Sequence, residues 1–326
     1  MPTTYAGITG TGQVTNLIQT AWDRLLEFQL RAQPLFRQVA DKRATQQTQP
    51  GSSVVFQLYP ELSPATTPLT ESQDPDAVAL GNTTMVTVTL QEYGNSMLAT
   101  RKLEMLGLSD IDPAMANLIA FNAADTVDVL VQTVLAGGTG AQVLNESAAS
   151  GVQSGTTVST LTNTGTQITS RLARYAAAGL RSNKVVPRRG NLYAAFLHPK
   201  VSADLRSETG AGSWRQPHEY SAPDQIWAGE IGQYESFYWI ENPRCINAQV
   251  GAGSGASQTR VFNTYFMGSQ ALAEGVAIEP HIVIGEVVDK LKRFRPVGWH
   301  ALLGWALYRP TALYQANLTS TLQPNQ

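Results

Sequence analysis

Alternation of apolar and polar positions is clearest in two stretches, Ser53 to Tyr59 (SVVFQLY) and Thr83 to Leu90 (TTMVTVTL), both rich in residues that suit half-buried strands. Together they predict a two-stranded ribbon. The connection between them, Pro60 to Asn82, is far longer than a hairpin turn, and Pro60, Pro64, Pro68 and Pro75 argue against regular structure inside it. A loop of that length in a compact domain points to a function or a partner. A ribbon with one apolar face is barely stable alone, so Val86, Val88 and Leu90 need a cover, and no core for the ribbon is evident within the chain.

Helical spacing appears in three places. In NLIQTAWDRLLEFQLRAQ, starting at Asn16, the residues Leu17, Ile18, Ala21, Trp22, Leu25 and Leu26 form an apolar stripe, and Pro34 bends or ends the helix. Leu35, Phe36 and Val39 extend the apolar side into a polar stretch, so this region reads as an arm that must lean on something else. The strongest helix pattern runs from Asp112, a capping residue followed by Pro113, to Ala136, with Gly137 and Gly138 as the stop. Its stripe is Met115, Ile119, Ala123, Val127, Leu130 and Val134, over about 35 Å of helix. A Gly/Ser/Thr-rich loop follows to Gly165, with a short ribbon expected at VSTLT, and a third helix is predicted over 166–180.

The second half interleaves short strands and helices. Asn191 to Leu197 reads as a buried strand, followed by a helix with Pro199 in its first turn. IWAGEIGQYESFYWIENPR reads as a turn and a strand, and RVFNTYFMGSQALAEGVA as a strand with a short helix or turn. Two closing strands flank Pro296-Val297-Gly298 before a polar tail. Residues 1–15 carry no periodicity and there is no internal repeat, so the class is α+β.

Composition narrows the function. With 326 residues, 43% of them hydrophobic, the chain can bury one large core or two modest ones. A formal net charge of -2 supplies no general basic field for reading nucleic acid, so any phosphate contact must be local. The single cysteine, Cys245, has no partner for a disulfide or a thiolate metal site. MPTTYAGITGTGQV lacks the basic start and apolar core of a signal peptide, and Ala301 to Tyr308 is too short to span a bilayer, so a soluble, cytoplasmically made protein is expected.

Catalytic patterns are missing: there is no G-x-S-x-G, H-E-x-x-H or phosphate-binding loop, and GAGSGAS at 251–257 lacks the lysine and the helix start of one. His198, His218, His281 and His300 are scattered and read as structural, while Glu230 and Glu235 read as part of a turn. No enzyme, cofactor or metal site is expected.

Four stretches, taken in order, carry a resemblance: TTPLTESQDP with TTMVTVTLQEYGNSMLATRKLE, then FLHPKVSADLR, then IWAGEIGQYESFYWIENP, then VVDKLKRFRPVGWHALLGWALYRP. Together with the arm, long loop and long helix they resemble the major capsid proteins of tailed double-stranded-DNA bacteriophages, the Hong Kong 97-type coat fold, over roughly residues 16 to 312. That resemblance implies an N-terminal arm over 1–48 and an extended loop over 49–100. A peripheral domain over 101–165 would hold a spine helix at 112–136, an axial domain would span 166–280, and 281–326 would return to the peripheral domain and end as a tail. It further implies self-assembly as hexamers and pentamers into an icosahedral shell, located in the virion and built in the host cytoplasm. Packaged double-stranded DNA would be held without sequence specificity, alongside separate scaffolding and portal proteins and a possible cementing protein. An encapsulin-like compartment shell, a minor virion protein and an enzyme with an unrecognised site are the competing readings.

In this reading the cover for Val86, Val88 and Leu90 is a neighbouring copy of the chain. From Ala44 to Thr100 there is no Lys and no Arg, whereas Glu61, Glu71, Asp74, Asp76 and Glu92 are present, so the loop is purely acidic. Some members of the fold link loop Lys to a neighbour's Asn, a bond this loop cannot make. Cations are expected opposite it instead, with Glu71 and Asp74 pairing with the run DKLKRFR or with Arg101 and Lys102. Strand alternation would put Lys290 and Lys292 on one face of that run and Arg293 and Arg295 on the other. Arg24, Arg31, Arg37, Lys42 and Arg43 of the arm are candidates either for inner-surface phosphate contact or for a solvated helix face.

Overall fold

The computed structural model describes residues 8–9, 35–44, 52–102 (except 67, 70, 73, 75 and 76), 111–137, 142–147, 151–154, 158–161, 166–208, 230–252, 259–284, 291 and 293–322. The first part of the chain contributes β1 (Ile8–Thr9), a 3-10 turn at Phe36–Val39, β2 (Asp41–Ala44), the ribbon strands β3 (Ser53–Leu58) and β4 (Thr84–Thr89), and β5 (Gln91–Thr100). Helix α1 (Ile111–Gly137) precedes β6 (Gln142–Ser147) and β7 (Gly151–Ser154), then α2 (Ser170–Ser182), β8 (Tyr193–Leu197) and α3 (Pro199–Ser207). The remainder is β9 (Glu230–Tyr234), β10 (Phe237–Glu241), β11 (Ile246–Val250), β12 (Arg260–Met267), β13 (Leu272–Ile284), β14 (Phe294–Leu307) and β15 (Leu313–Leu318).

Among the described residues these strands make three sheets. A five-stranded sheet has the order β1-β5-β14-β13-β2, and an eight-stranded sheet has β7-β6-β15-β12-β8-β10-β9 with β11 added beside β12. The ribbon β3-β4 is the third.

Local sequence explains the element boundaries. Thr169 caps α2 by accepting a hydrogen bond from the Leu172 N–H, and Pro199 stands in the first turn of α3. The turn between β9 and β10 is formed by Glu235 and Ser236, both at positive φ (48° and 68°), so it falls after the Gly-Glu-Ile-Gly run, and Glu230 belongs to a strand. Val158–Thr160 is a 3-10 turn; the short ribbon of this region is β6-β7 instead.

Two further expectations are corrected at the C-terminal end. Pro296 does not separate two strands: β14 runs through it, paired with Leu98 of β5, and the described pairs with β13 end at Ile284 with Val297. The segment after 312 is no polar tail, because β15 is buried throughout and crosses back into the eight-stranded sheet beside β12. Likewise β13, which begins at Leu272, belongs to the five-stranded sheet, ahead of the expected boundary at 280.

Helix α1 joins the two large sheets. Its buried apolar positions are Met115, Ile119, Ala123, Val127, Val131 and Leu135, so the stripe continues at 131 and 135 where 130 and 134 were expected. At about 100° per residue, a spacing of four drifts about 40° each step, and the stripe winds around the helix. Its first half meets Val276, Val297, Trp299, Ala301 and Leu303 of the five-stranded sheet. Its last turns enter the core of the eight-stranded sheet, where Phe36, Phe196, Tyr265 and Trp239 pack.

The opposite face of the five-stranded sheet covers the ribbon. Val88 is 0% and Phe56 1% exposed, packed against Ala273 and Tyr308, and the Tyr308 hydroxyl donates to the Gln57 carbonyl at 3.1 Å. Gly275 and Gly304 lie opposite each other across β13-β14 and leave room for the approach: a Cβ on Gly275 would stand 3.1 Å from Leu90 and Val54 and 3.3 Å from Val88. The expectation that a neighbouring copy covers Val88 and Leu90 is therefore corrected. Their cover comes from this chain, made possible by the small residues of LAEGVA and LLGWAL, and Val86 packs half-buried on the same cluster. Each such side chain contributes about 1.5–3 kcal/mol before ordering costs.

Candidate assembly surfaces

The anchored part of the N-terminal region is built around one buried acid. Asp128, on α1, is 0% exposed and accepts hydrogen bonds from the Leu35 N–H at 3.2 Å and the Phe36 N–H at 2.8 Å. Asn242 Nδ2 and Arg244 reach its other oxygen at 3.1 Å and 3.2 Å. Burial pushes the Asp128 carboxyl up from its ordinary range, and the bonds from Asn242, Phe36 and Leu35 pull it back. Phe36 lies 5.0 Å from the Phe196 ring and edge-on to Tyr265. The expectation that the arm has no core within the chain is corrected for residues 35–40, where Leu35, Phe36, Val39 and Ala40 are buried.

Arg37 then clamps two carboxylates of β13, Glu274 at 2.7 Å and Glu279 at 2.5 Å. Glu274 is 0% exposed; its second oxygen has no hydrogen-bond partner among the described residues, and burial raises its pKa against the pull of Arg37. Arg188 holds Asp41 at 3.1 Å, fixing the start of β2. Arg37 is therefore committed to carboxylates, which corrects its expected role in contacting phosphate. Lys42 is exposed and stands opposite Glu274 in the β2-β13 register. Arg24 and Arg31 lie outside the described residues, and so does the Arg43 side chain.

The long loop is the most exposed apolar feature. Leu62, Leu69, Val78 and Leu80 are 59%, 78%, 72% and 56% exposed, and Tyr59 and Met85 at its roots are also open. Glu61 pairs at 2.6 Å with Lys184 of the same chain, while Glu71 and Asp74 are exposed. Lys290, Lys292 and the Arg295 side chain lie outside the described residues. β14 begins only at Phe294, so Arg293 precedes the strand and the expected alternation from 290 does not apply to it. Sequence reasoning missed how close the two basic groups are: the Arg101 N–H donates to the Arg293 carbonyl at 2.9 Å, which brings Arg101, Lys102 and Arg293 to one corner.

The histidines and the paired glutamates have structural settings. His198 accepts from the Lys200 N–H at 3.1 Å at the start of α3, and burial lowers its pKa to about 4. His281 and His300 pair across β13-β14, and His300 lies 2.8 Å from Glu92. Glu235 pairs with Arg174 at 2.8 Å; His218 and the Glu230 side chain lie outside the described residues. Among the described residues no cluster of three or more His, Cys, Asp or Glu could hold a metal ion.

Two sheets joined by a long helix, with an exposed loop between β3 and β4, make up a fold seen in phage capsid structures. The fold is shared with the capsid of Ralstonia phage GP4, at a TM-score of 0.71 and 16% identity over 94% of this chain and 97% of that one. It is also shared with the head structure of Helicobacter pylori bacteriophage KHP40 (TM-score 0.63, 13% identity, 98% and 100% covered) and with the capsid of cyanophage P-SCSP1u (0.61, 13%, 97% and 98%). No curated protein matches the chain. Residues 19–310 match the phage capsid protein family, and the chain belongs to it. It is a structural subunit of the phage head shell, with the Hong Kong 97-like α+β fold, and neither an encapsulin-like compartment nor a minor virion protein is favoured.

Proposed function

We propose that this chain is the major subunit of an icosahedral head: it associates as hexamers and pentamers, encloses double-stranded DNA without reading its sequence, and catalyses no reaction. The observation that carries this reading is the loop between β3 and β4, where Leu62, Leu69, Glu71, Asp74, Val78 and Leu80 are exposed while its roots are fixed on the five-stranded sheet. A neighbouring copy supplies the missing cover, with cations such as Arg101, Lys102 and Arg293 opposite Glu71 and Asp74. Many weak contacts of this kind, repeated at every interface, hold a subunit that leaves only by breaking several at once.

The five-stranded sheet with α1 serves as the peripheral domain, and the eight-stranded sheet as the axial domain around the fivefold and sixfold centres. Lys42, Arg43, Arg24 and Arg31 are the cations offered to DNA phosphates. Assembly takes place in the host cytoplasm with separate scaffolding and portal proteins. Negative-stain microscopy of the expressed chain, beside a variant with residues 61–82 replaced by a short Gly/Ser linker, tests the reading. Closed particles from the first and soluble unassembled subunits from the second are expected; shells from both would overturn the role of the loop.

A further inference from the structure

The ribbon β3-β4 covers only one end of its side of the five-stranded sheet. Strand alternation puts Gly298, His300, Leu302, Gly304 and Ala306 of β14 on that side, and the ribbon rests at the Gly304 and Ala306 end. At the other end the same side forms a shallow dish of about 520 Å³, whose lining includes Gly94, Ser96, Val283, Pro296, Gly298 and His300. Gly94 and Ser96 are exposed and Val283 is 40% exposed, so the dish is open to solvent. The acid beside it, Glu92, is already paired with His300 at 2.8 Å. Past the far end of the dish β5 stops at Thr100, opposite Phe294, and the exposed cations Arg101, Lys102 and Arg293 gather at that corner. The chain's own loop leaves from the opposite end of the sheet. The Tyr308 hydroxyl holds the Gln57 carbonyl just ahead of the loop, Glu61 pairs with Lys184, and Arg309 donates to the adjacent Asn183 carbonyl at 3.0 Å. From Gly298 in the dish to Leu307 near this loop root, β14 runs about 30 Å.

We propose that the dish receives Val78 and Leu80 from the loop of a second copy of the chain, while Asp74 of that loop meets the corner of Arg101, Lys102 and Arg293. The proposal rests on the shell reading above and names the surface that reading requires. Val78 and Leu80 are 72% and 56% exposed, and a spacing of two places them on one side of an extended segment. Pro75 biases Asp74 toward the same extended backbone. The spacing of the two features agrees on both partners: Gly298 to Phe294 is about 13 Å along β14, and an extended chain from Val78 back to Asp74 spans about the same. Charge agrees as well, because 44–100 holds acids and no Lys or Arg, and the corner past the dish offers three cations. Loop and dish stand at opposite ends of one sheet, so the contact is head-to-tail. Each copy gives its loop to one neighbour and takes the loop of another, which is the kind of contact that closes rings.

A cysteine pair tests both the site and the polarity. In particles of Leu80→Cys/Val283→Cys, mild oxidation is expected to give a ladder beyond the dimer on non-reducing denaturing gels. Either single variant can give dimers at most, and the buried Cys245 does not compete. A faster-migrating monomer, showing that a chain's own loop fills the dish, or no band above the dimer would overturn the proposal. A second measurement is independent of disulfide geometry. In particles, a glutamate-specific protease should cut after Glu71 about tenfold faster in Val283→Glu than in the wild type. Loss of particles from Val283→Glu, with the free subunit unfolding at the wild-type temperature, supports the contact equally, and equal cleavage rates would refute it. Microscopy of the wild-type chain separates the two readings: particles without the ladder count against this contact alone, and no particles at all would sink the shell reading together with it.

Discussion

Glu274 is a carboxylate with no exposure, one oxygen unpartnered among the described residues and a pKa raised by burial, so its charge depends on Arg37, whose side chain is 23% exposed. Replacing Arg37 with Met keeps the apolar stem and removes the charge. Removing one partner of a buried pair costs about 3–5 kcal/mol, and partial solvent access to Arg37 brings the expected loss to about 2–4 kcal/mol at pH 7. The sign with pH follows from the direction of the shift. A carboxyl whose folded pKa is raised contributes most favourably below its unfolded pKa, and loses that contribution as pH rises through the folded value. Without Arg37 the folded pKa rises further, so the deficit of the variant is largest at neutral pH and shrinks toward pH 5. Adding Glu274→Gln removes the uncompensated charge and should return much of the lost stability. Urea unfolding of wild type, single and double variants at pH 5 and 7 measures all three. An unchanged Arg37→Met at pH 7, or an equal loss at both pH values, would refute the reasoning.

Three further outcomes are expected. Mature particles should run as one band at the 35.2 kDa monomer on denaturing gels, because 44–100 contains no Lys for a loop isopeptide; a ladder of multimers would contradict this. Glu71→Lys/Asp74→Lys should assemble poorly, most visibly at low salt, with partial recovery on adding Arg101→Glu/Arg293→Glu; undiminished particle yield from the first double variant would exclude the pairing. Gly275→Val should cost about 1–3 kcal/mol by pressing on Val54, Val88 and Leu90, and should raise amide exchange in β3 and β4 above that in β12; protection equal to wild type would mean the ribbon does not rest there.

The patterns legible in the sequence were those with a period or a punctuation mark: the β3 and β4 strands, α1 with its glycine stop, the strand before Pro199, and the long proline-rich connection. Tertiary accommodation was not legible. The alternation in TTMVTVTL shows that Val88 faces a core, but which core depends on Gly275 and Gly304 meeting across two strands distant in sequence from it. Arg37 looked like one of several arm cations until Glu274 and Glu279 met it from β13. Asp128 carried a signal that could have been used: a carboxylate next to Val127, one position from the apolar stripe of a long helix, needs donors from elsewhere. The identity of those donors, backbone N–H groups of Leu35 and Phe36, has no sequence signature at all.

The drift of the α1 stripe explains why that acid stands where it does. A helix lying on one flat sheet would repeat its buried positions at alternating intervals of three and four; strict intervals of four turn the buried side progressively away from the five-stranded sheet and into the core around Phe196 and Trp239. Val127 is the last of these positions to touch the first sheet and Val131 the first to touch the second. Asp128 falls at this crossing, where the backbone N–H groups of Leu35 and Phe36 reach its carboxylate. Arg244, in the turn between β10 and β11, reaches the same carboxylate, so the 35–36 backbone, the long helix and the eight-stranded sheet share one polar joint. A displacement of the eight-stranded sheet relative to α1 therefore has to break the Asn242 and Arg244 hydrogen bonds at Asp128.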